Sequence, residues 1–175
     1  PQQFNHYYEP FIGGGALLFE LGLEKSTISD NNRVLIDTYI AIRDHLNDLI
    51  PLLNELQNEH NSFDDKDKAK EYYYTKRERF NELILGSDFS LERNALFMYL
   101  NKACFNGLYR VNTNGFFNVP SNQKKKIKIF ENENLNQISK FLQTVQIFHQ
   151  DFETTVQNAN KGDLVFFDSP YAPLN

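Results

Sequence analysis

Two rhythms of apolar and polar positions run along this chain. Short β-prone runs at 7–12, 26–29, 145–148 and 164–167 are bounded by glycine, proline or acidic residues, and each predicts a strand. Longer stretches carry apolar residues every three or four positions. Leu35, Tyr39, Ile42, Leu46, Leu49 and Leu53 predict a helix over about 33–57, which Pro51 would kink or split. Further helices are predicted at 16–21, 68–85, 90–103 and 135–142, with another between the turn at Asp151-Phe152 and the final strand. Strands alternating with helices imply an α/β fold whose mostly parallel sheet is covered on both faces. Two stretches depart from the pattern. Residues 58–67 are polar and charged and predict a loop. Residues 104–122 hold Gly107, Gly115, Pro120, several Asn and the aromatics Phe105, Tyr109, Phe116 and Phe117, which predicts an irregular loop or hairpin with aromatics exposed beside basic residues. Tyr72, Tyr73 and Tyr74 sit in a helical stretch, part of which must face the core, so they read as structural.

Composition adds limits. A chain of 175 residues with 16 Phe and 9 Tyr can build the core of one domain. No apolar run approaches the ~20 residues of a membrane span, and the polar, uncharged start predicts no signal peptide. The lone Cys104 excludes an internal disulfide and suits a reducing cytoplasm. His6, His45, His60 and His149 are scattered without metal-ligand spacing, so no metal is expected. Charge is uneven. Lys102, Arg110, Lys124, Lys125, Lys126 and Lys128 share the window 101–128 with no acid, giving +6 there and leaving −11 on the remainder of a chain whose net charge is −5. An acidic body with one basic patch is a footprint for local binding of a polyanion.

Candidate chemistry gathers at the ends of the predicted strands, where open parallel sheets bind ligands. Gly13-Gly14-Gly15 follows the first strand, and glycine lets backbone approach a ligand closely. Asp30 follows the second, 17 residues after Gly13, about where a ribose-binding acid stands after a nucleoside-binding turn. Asp151-Phe152 follows the third. After the last strand, Asp168-Ser169-Pro170-Tyr171 offers a hydrogen-bond acceptor and a stacking ring, as chemistry on the exocyclic amine of a base requires. The glycines lack the G-x-G-x-x-G spacing of a dinucleotide site, and no Walker lysine follows them. S-adenosyl-L-methionine, which has no pyrophosphate, fits these features best.

These residues resemble a known family, the D12-class (Dam-type) DNA adenine-N6 methyltransferases of the alpha group. Tyr8-Glu9-Pro10-Phe11-Ile12-Gly13-Gly14-Gly15-Ala16 is similar to its cofactor turn, and Ile28-Ser29-Asp30-Asn31-Asn32 to the motif whose acid takes the ribose hydroxyls. Asp151-Phe152 is similar to the motif that holds the cofactor's adenine amine, and Asp168-Ser169-Pro170-Tyr171 to the catalytic D-P-P-Y, with Asp168 also beside the cofactor. The segment from Cys104 to Asn112, with Phe117-Asn118-Val119-Pro120, resembles the DNA-recognition hairpin. The resemblance implies that Arg110 reads a guanine edge and that Leu108 and Pro120 touch apolar base surface. It implies too that Phe105 and Asn106 wedge into the duplex, with Lys102, Asn112, Asn118 and Lys124 completing the DNA-binding set.

It further implies a Rossmann-like sheet with a helical and hairpin DNA-recognition insertion, divided as 1–58 for cofactor binding, 59–133 for target recognition and 134–175 for catalysis. The expected reaction moves a methyl group from S-adenosyl-L-methionine to adenine N6 in double-stranded DNA, by a monomer, without a metal. Asp168 and the Ser169 carbonyl would accept the two amino hydrogens, and Tyr171 would stack on the flipped base. Family members often modify GATC. Two departures stand out: Ser169 replaces a proline, and Ser121-Asn122-Gln123-Lys124 replaces the expected Phe-Gly-Arg-Tyr. An amino-terminal Gly-Gly-Lys segment and strands after the catalytic motif are expected in the family and are not in this sequence, which implies a central portion with an incomplete sheet. The rival readings are an inactive relic that binds DNA, an RNA or protein amino-methyltransferase, and a nicotinamide oxidoreductase.

Overall fold

The computed structural model describes residues 3–169, so Pro170 and Tyr171 of the predicted catalytic motif lie outside the described residues. In chain order the elements are β1 (Tyr7–Glu9), α1 (Ala16–Leu21), β2 (Ser26–Asp30), α2 (Arg33–Asp44), α3 (Leu46–Ser62), α4 (Lys66–Leu85), α5 (Leu91–Ala103), a short 3-10 turn (Phe105–Gly107), α6 (Asn132–Leu142), β3 (Val145–His149), α7 (Phe152–Val156) and β4 (Leu164–Val165). They form two compact units. One comprises the chain up to Arg43 together with residues from Asn136 onward, and the other spans Asp44–Leu135.

The first unit is built on a sheet in the order β3-β2-β1-β4, every pair parallel. Parallel neighbours need a crossover, and each here returns through helix. Tyr7 aligns with Ser26 and Leu164, and Ser26 with Val145, so the strands start level and end at one edge. Phe166 N–H donates to the Tyr8 carbonyl at 2.9 Å, carrying the β1–β4 ladder beyond the regular strand. One sheet face buries Tyr7, Ile28, Val145 and Ile147. On the other face Ser29 is buried and its hydroxyl meets that of Thr155 on α7 at 2.5 Å. This is an α/β fold with an all-parallel sheet, as the strand and helix rhythm predicts.

Several expectations change. The loop expected over 58–67 shrinks to residues 63–65, because α3 runs on to Ser62 and Asp65 caps α4 from Lys66. The helix predicted over 33–57 is two helices, α2 and α3, and the break falls at His45 rather than at Pro51. His45 has non-helical dihedrals, and its carbonyl accepts from the Asp48 and Leu49 N–H groups to start α3 afresh. With the restart upstream, Pro51 stands near the new amino terminus and withholds a single N–H from the Asn47 carbonyl.

The second unit packs α3, α4 and α5 around Leu49, Leu53, Tyr73, Phe80, Tyr99 and Leu100, all essentially inaccessible to solvent. Asp65 and Ser90 cap α4 and α5 by accepting from the Asp67 and Arg93 N–H groups. The segment 104–131 has bridges rather than regular strands, Cys104 with Ser121 and Val111 with Phe117, both antiparallel. Its backbone polar groups therefore need other partners. Helix side chains supply them. Asn81 on α4 donates to the Phe117 carbonyl at 3.1 Å and accepts from the Phe117 N–H at 2.9 Å. Tyr73 and Arg77 donate to the Val119 carbonyl. On α3, Asn61 makes the same two-way clasp on Ile127, and Gln57 accepts from the Ile129 N–H. Four helical residues advance about 6.0 Å and two extended residues about 6.6 Å. Side chains at i and i+4 can thus grip alternate residues of an extended strand.

The exposed-aromatic expectation holds for Phe105 but not for Phe117, which is 3% exposed. Its ring packs edge-on to Phe80 and beside Tyr109, which in turn meets Phe97. His60 is also interior: Tyr99 hydroxyl lies 2.9 Å from Nδ1, and Nε2 lies 3.0 Å from the Lys124 carbonyl. A carbonyl only accepts, so Nε2 carries the proton and Nδ1 accepts from the tyrosine.

Two outcomes follow from this packing. Phe80→Ala should cost about 3–5 kcal/mol in denaturant unfolding, the usual range for a buried phenylalanine; a loss under about 1 kcal/mol would contradict the core assignment. Burial, helped by the nearby Lys126, holds the His60 pKa below its ordinary value. The neutral form is thus favoured by folding, and its contribution is complete above about pH 6.5 and declines as pH falls through that value. Melting temperature followed from pH 7.5 to 5 should drop less in His60→Gln than in the parent chain, once both are referred to pH 7.5.

Candidate functional site

The level strand ends place one carboxylate on or just beyond each of four adjacent strands: Asp151 after β3, Asp30 closing β2, Glu9 closing β1 and Asp168 after β4. Neighbouring strands lie about 4.8 Å apart, so the row is about 15 Å wide. Four acids this close repel unless their charge is absorbed, and each of three has a distinct remedy. Asp30 accepts from the Gly13 N–H at 3.2 Å through one oxygen and from the Asn32 N–H at 2.8 Å through the other. Asp151 caps α7, accepting from the Thr154 N–H at 2.8 Å and its hydroxyl at 3.1 Å. Those bonds hold its carboxyl below the ordinary range. Glu9 is buried and accepts from the Tyr7 hydroxyl at 2.8 Å. Burial pushes its pKa up against the opposing effect of that bond, and the charge of Asp168 adds to the rise. Asp168 and Ser169 are exposed.

The turn after β1 closes on itself through two left-handed glycines. Gly13 has φ +47° and Gly15 φ +68°, a region costly for residues with a side chain. A Cβ on Gly15 would stand 2.7 Å from the Phe19 ring and 2.9 Å from the Tyr39 hydroxyl, whereas one on Gly13 or Gly14 would meet open space. Gly15 is therefore needed for packing, and the Gly13-Gly14 backbone presents itself outward. The Tyr39 hydroxyl donates to the Gly13 carbonyl at 2.9 Å, and the Ile12 N–H donates to the Ser29 carbonyl at 3.0 Å, tying the turn to α2 and β2. Pro10 is buried, and its carbonyl accepts from the Ser29 hydroxyl. The Asn31 carbonyl lies 3.2 Å from His149 Nε2.

Three phenylalanines stand beside the carboxylates. Phe11 stacks on Phe152 at 5.6 Å, and Phe167 meets both at 6.4 Å. Phe152 and Phe167 remain 41% and 51% exposed, so the cluster offers an apolar wall rather than a closed core. The structure thus brings together Glu9, Pro10, Phe11, Gly13, Gly15, Asp30, Asn31, Asp151, Phe152, Asp168 and Ser169 at one sheet edge, all within the first unit. Sequence reading missed Tyr7, Tyr39 and Phe167. Tyr39 was legible only as the hydroxyl-bearing member of an otherwise aliphatic stripe. No group of three or more metal-ligating side chains occurs among the described residues, and no helix among them is long and apolar enough to cross a membrane.

The residues expected on the recognition hairpin all lie in the second unit. Phe105 and Leu108 are about half exposed, and Asn106 between them adopts φ +55°, which asparagine tolerates. Arg110 is exposed and its Nε donates to Asn118 Oδ1 at 2.9 Å, leaving both terminal nitrogens outside that bond. Asn112 Oδ1 accepts from the Asn114 and Phe116 N–H groups and so shapes the turn itself. Pro120 is exposed, and its carbonyl accepts from the Phe105 N–H. Asn122 links the two exposed lysines: its amide donates to the Lys102 carbonyl and its oxygen accepts from the Lys124 N–H.

Comparison with known proteins gives the family. The chain is 41% identical over 177 residues to a type II methyltransferase of Lactococcus lactis subsp. cremoris, covering 100% of this chain and 60% of the relative. It is 43% identical over 173 residues to a type II methyltransferase of Methanocaldococcus jannaschii, covering 97% and 59%. A DNA adenine methylase of Haemophilus influenzae is 32% identical over 174 residues, covering 99% and 57%. The chain thus spans a little under two thirds of the length of these relatives. The model of one family, D12 class N6 adenine-specific DNA methyltransferase, matches residues 1–175, and this chain belongs to that family.

Proposed function

We propose that this chain is the cofactor-binding and target-recognizing part of an enzyme that transfers a methyl group from S-adenosyl-L-methionine to adenine N6 in double-stranded DNA, in the cytoplasm. The observation that carries the reading is the bond between the Gly13 N–H and Asp30 across the ends of β1 and β2. It fixes a carboxylate beside an outward-facing glycine turn, which is the pair a ribose with two hydroxyls needs.

The residues present fit this cofactor. Gly13 and Gly14 leave the space a side chain would fill, Asp30 accepts from the ribose hydroxyls, and Asp151 stands ready for the adenine amine. Phe11, Phe152 and Phe167 supply apolar surface for a purine ring. When bound, the cofactor supplies an electrophilic methyl group on a sulfonium sulfur. The chain's own part is to position a weak nucleophile. The amine of adenine is delocalised into its ring, so acceptors on its two hydrogens favour a pyramidal nitrogen with a localised lone pair. Asp168 and the Ser169 carbonyl take that role, and Pro170 and Tyr171 complete the motif. Ser169 keeps the carbonyl that the role requires, although it lacks the proline ring. Catalysis is then mainly orientation and electrostatics, with no metal in the scheme.

On the second unit, Arg110 presents its two terminal nitrogens to a guanine edge, with Leu108 and Pro120 against apolar base surface. Phe105 and Asn106 enter the stack where the adenine leaves it. Lys102 and Lys124 meet phosphates, together with Asn112 and Asn118.

Three variants test this. Asp30→Ala should weaken S-adenosyl-L-methionine binding about tenfold or more in calorimetry, since both oxygens lose their place at the turn. Gly15→Ala should weaken it as well, because the new methyl must displace Phe19 or Tyr39. Asp168→Ala should lower methyl transfer at least about a hundredfold, far more than it weakens cofactor binding. Unchanged transfer in Asp168→Ala would remove the proposed acceptor from the mechanism.

A further inference from the structure

Arg110, taken above as the guanine-reading residue, is held by a relay that starts on a helix well removed from it in sequence. Its Nε donates to Asn118 Oδ1 at 2.9 Å, and its carbonyl accepts from the Asn118 N–H at 3.2 Å. Asn118 thus fixes Arg110 at both side chain and backbone. Its own place is set by its neighbour Phe117, whose ring is buried against Phe80. Phe117 in turn has both backbone polar groups taken by one side chain, that of Asn81 on α4.

A side-chain amide carries a donor and an acceptor side by side, so Asn81 stands in for the peptide group of a missing neighbouring strand. That role has a directional consequence. Ring burial alone resists withdrawal of Phe117 from the core but leaves the arm free to slide or twist about the ring. Two opposed hydrogen bonds to one residue fix register. The opposite arm inherits it, because Val111 bridges Phe117 and the Asn112 N–H donates to the Phe116 carbonyl. One and two turns earlier on the same helix, Arg77 and Tyr73 donate to the Val119 carbonyl at 3.2 and 2.8 Å, holding the arm two residues on.

We propose that Asn81 is a positioning residue for base recognition: it never touches DNA, and its clasp on Phe117 sets the register from which Asn118 aims Arg110. This rests on the reading of 104–122 as a DNA-recognition hairpin. The nearby Asn61 clasp on Ile127 uses the same device but serves the lysine-bearing strap rather than the base-reading arm.

The test uses a pool of random-sequence duplexes, with the bound fraction sequenced for the parent chain, Arg110→Ala, Asn81→Ala and Asn81→Asp. Asn81→Asp keeps the acceptor for the Phe117 N–H but loses the donor, and it serves if the alanine variant does not fold. The parent chain should enrich a motif, and Arg110→Ala should flatten it at one guanine position. Both Asn81 variants should flatten that same position about tenfold, with affinity for the unselected pool and for S-adenosyl-L-methionine within about twofold of the parent. A merely structural role would weaken all positions and the unselected pool together, and that result overturns the proposal. Retention of the parent motif in both Asn81 variants overturns it too. A parent chain that enriches no motif, or an Arg110→Ala variant that keeps it, overturns the hairpin reading and the proposal with it.

Discussion

The common register of four parallel strands is the constraint on which the candidate site depends. Because Tyr7, Ser26, Val145 and Leu164 lie in one row, the chain must leave the sheet at the same edge four times. Each exit delivers one part of the candidate site: a glycine turn, Asp30, Asp151 and the Asp168-Ser169 pair. A shift of one residue in any strand would turn its tip residue to the opposite face and break the row. The packing that prevents such a shift is ordinary, with Tyr7, Ile28, Val145 and Ile147 buried on one side. The acids at the edge are then accommodated locally, by backbone donors for Asp30 and Asp151 and by burial with a tyrosine hydroxyl for Glu9. Core packing and the candidate site are therefore coupled through register, not through any single contact.

The second unit answers a different problem. The segment that displays Arg110, Leu108 and Phe105 outward forms no regular strand, so its backbone needs partners from elsewhere. Asn81, Asn61, Gln57, Tyr73 and Arg77 provide them, and the near equality of a helical turn and a two-residue extended step makes the match possible. A loop held this way keeps a defined shape without a strand's sequence pattern.

This difference explains what could be read beforehand. The sheet elements carry their own periodicity, so β2 and β3 fall within a residue of the positions their sequence predicts, and the carboxylates at their ends could be located with them. Asp30 was legible because spacing to Gly13 reports a local bond. The break at His45 was not, because proline is the stronger local signal and nothing in the sequence marks His45 as the place where one helix ends and another starts. Phe117 was misjudged for a related reason: a loop composition predicts exposure, while its burial depends on Phe80 and Asn81, more than thirty residues away. Tyr39 read as a packing residue because its hydroxyl acts through a bond to Gly13 that no spacing rule anticipates.

The proposed reaction is methyl transfer to adenine N6 in duplex DNA. Its most direct test is to incubate the protein with methyl-labelled S-adenosyl-L-methionine and unmethylated duplex DNA, digest the DNA to nucleosides, and identify the labelled species. Label is expected in N6-methyladenine alone. Label in a methylated cytosine, label in RNA or protein offered in place of DNA, or no label in DNA at all would contradict it.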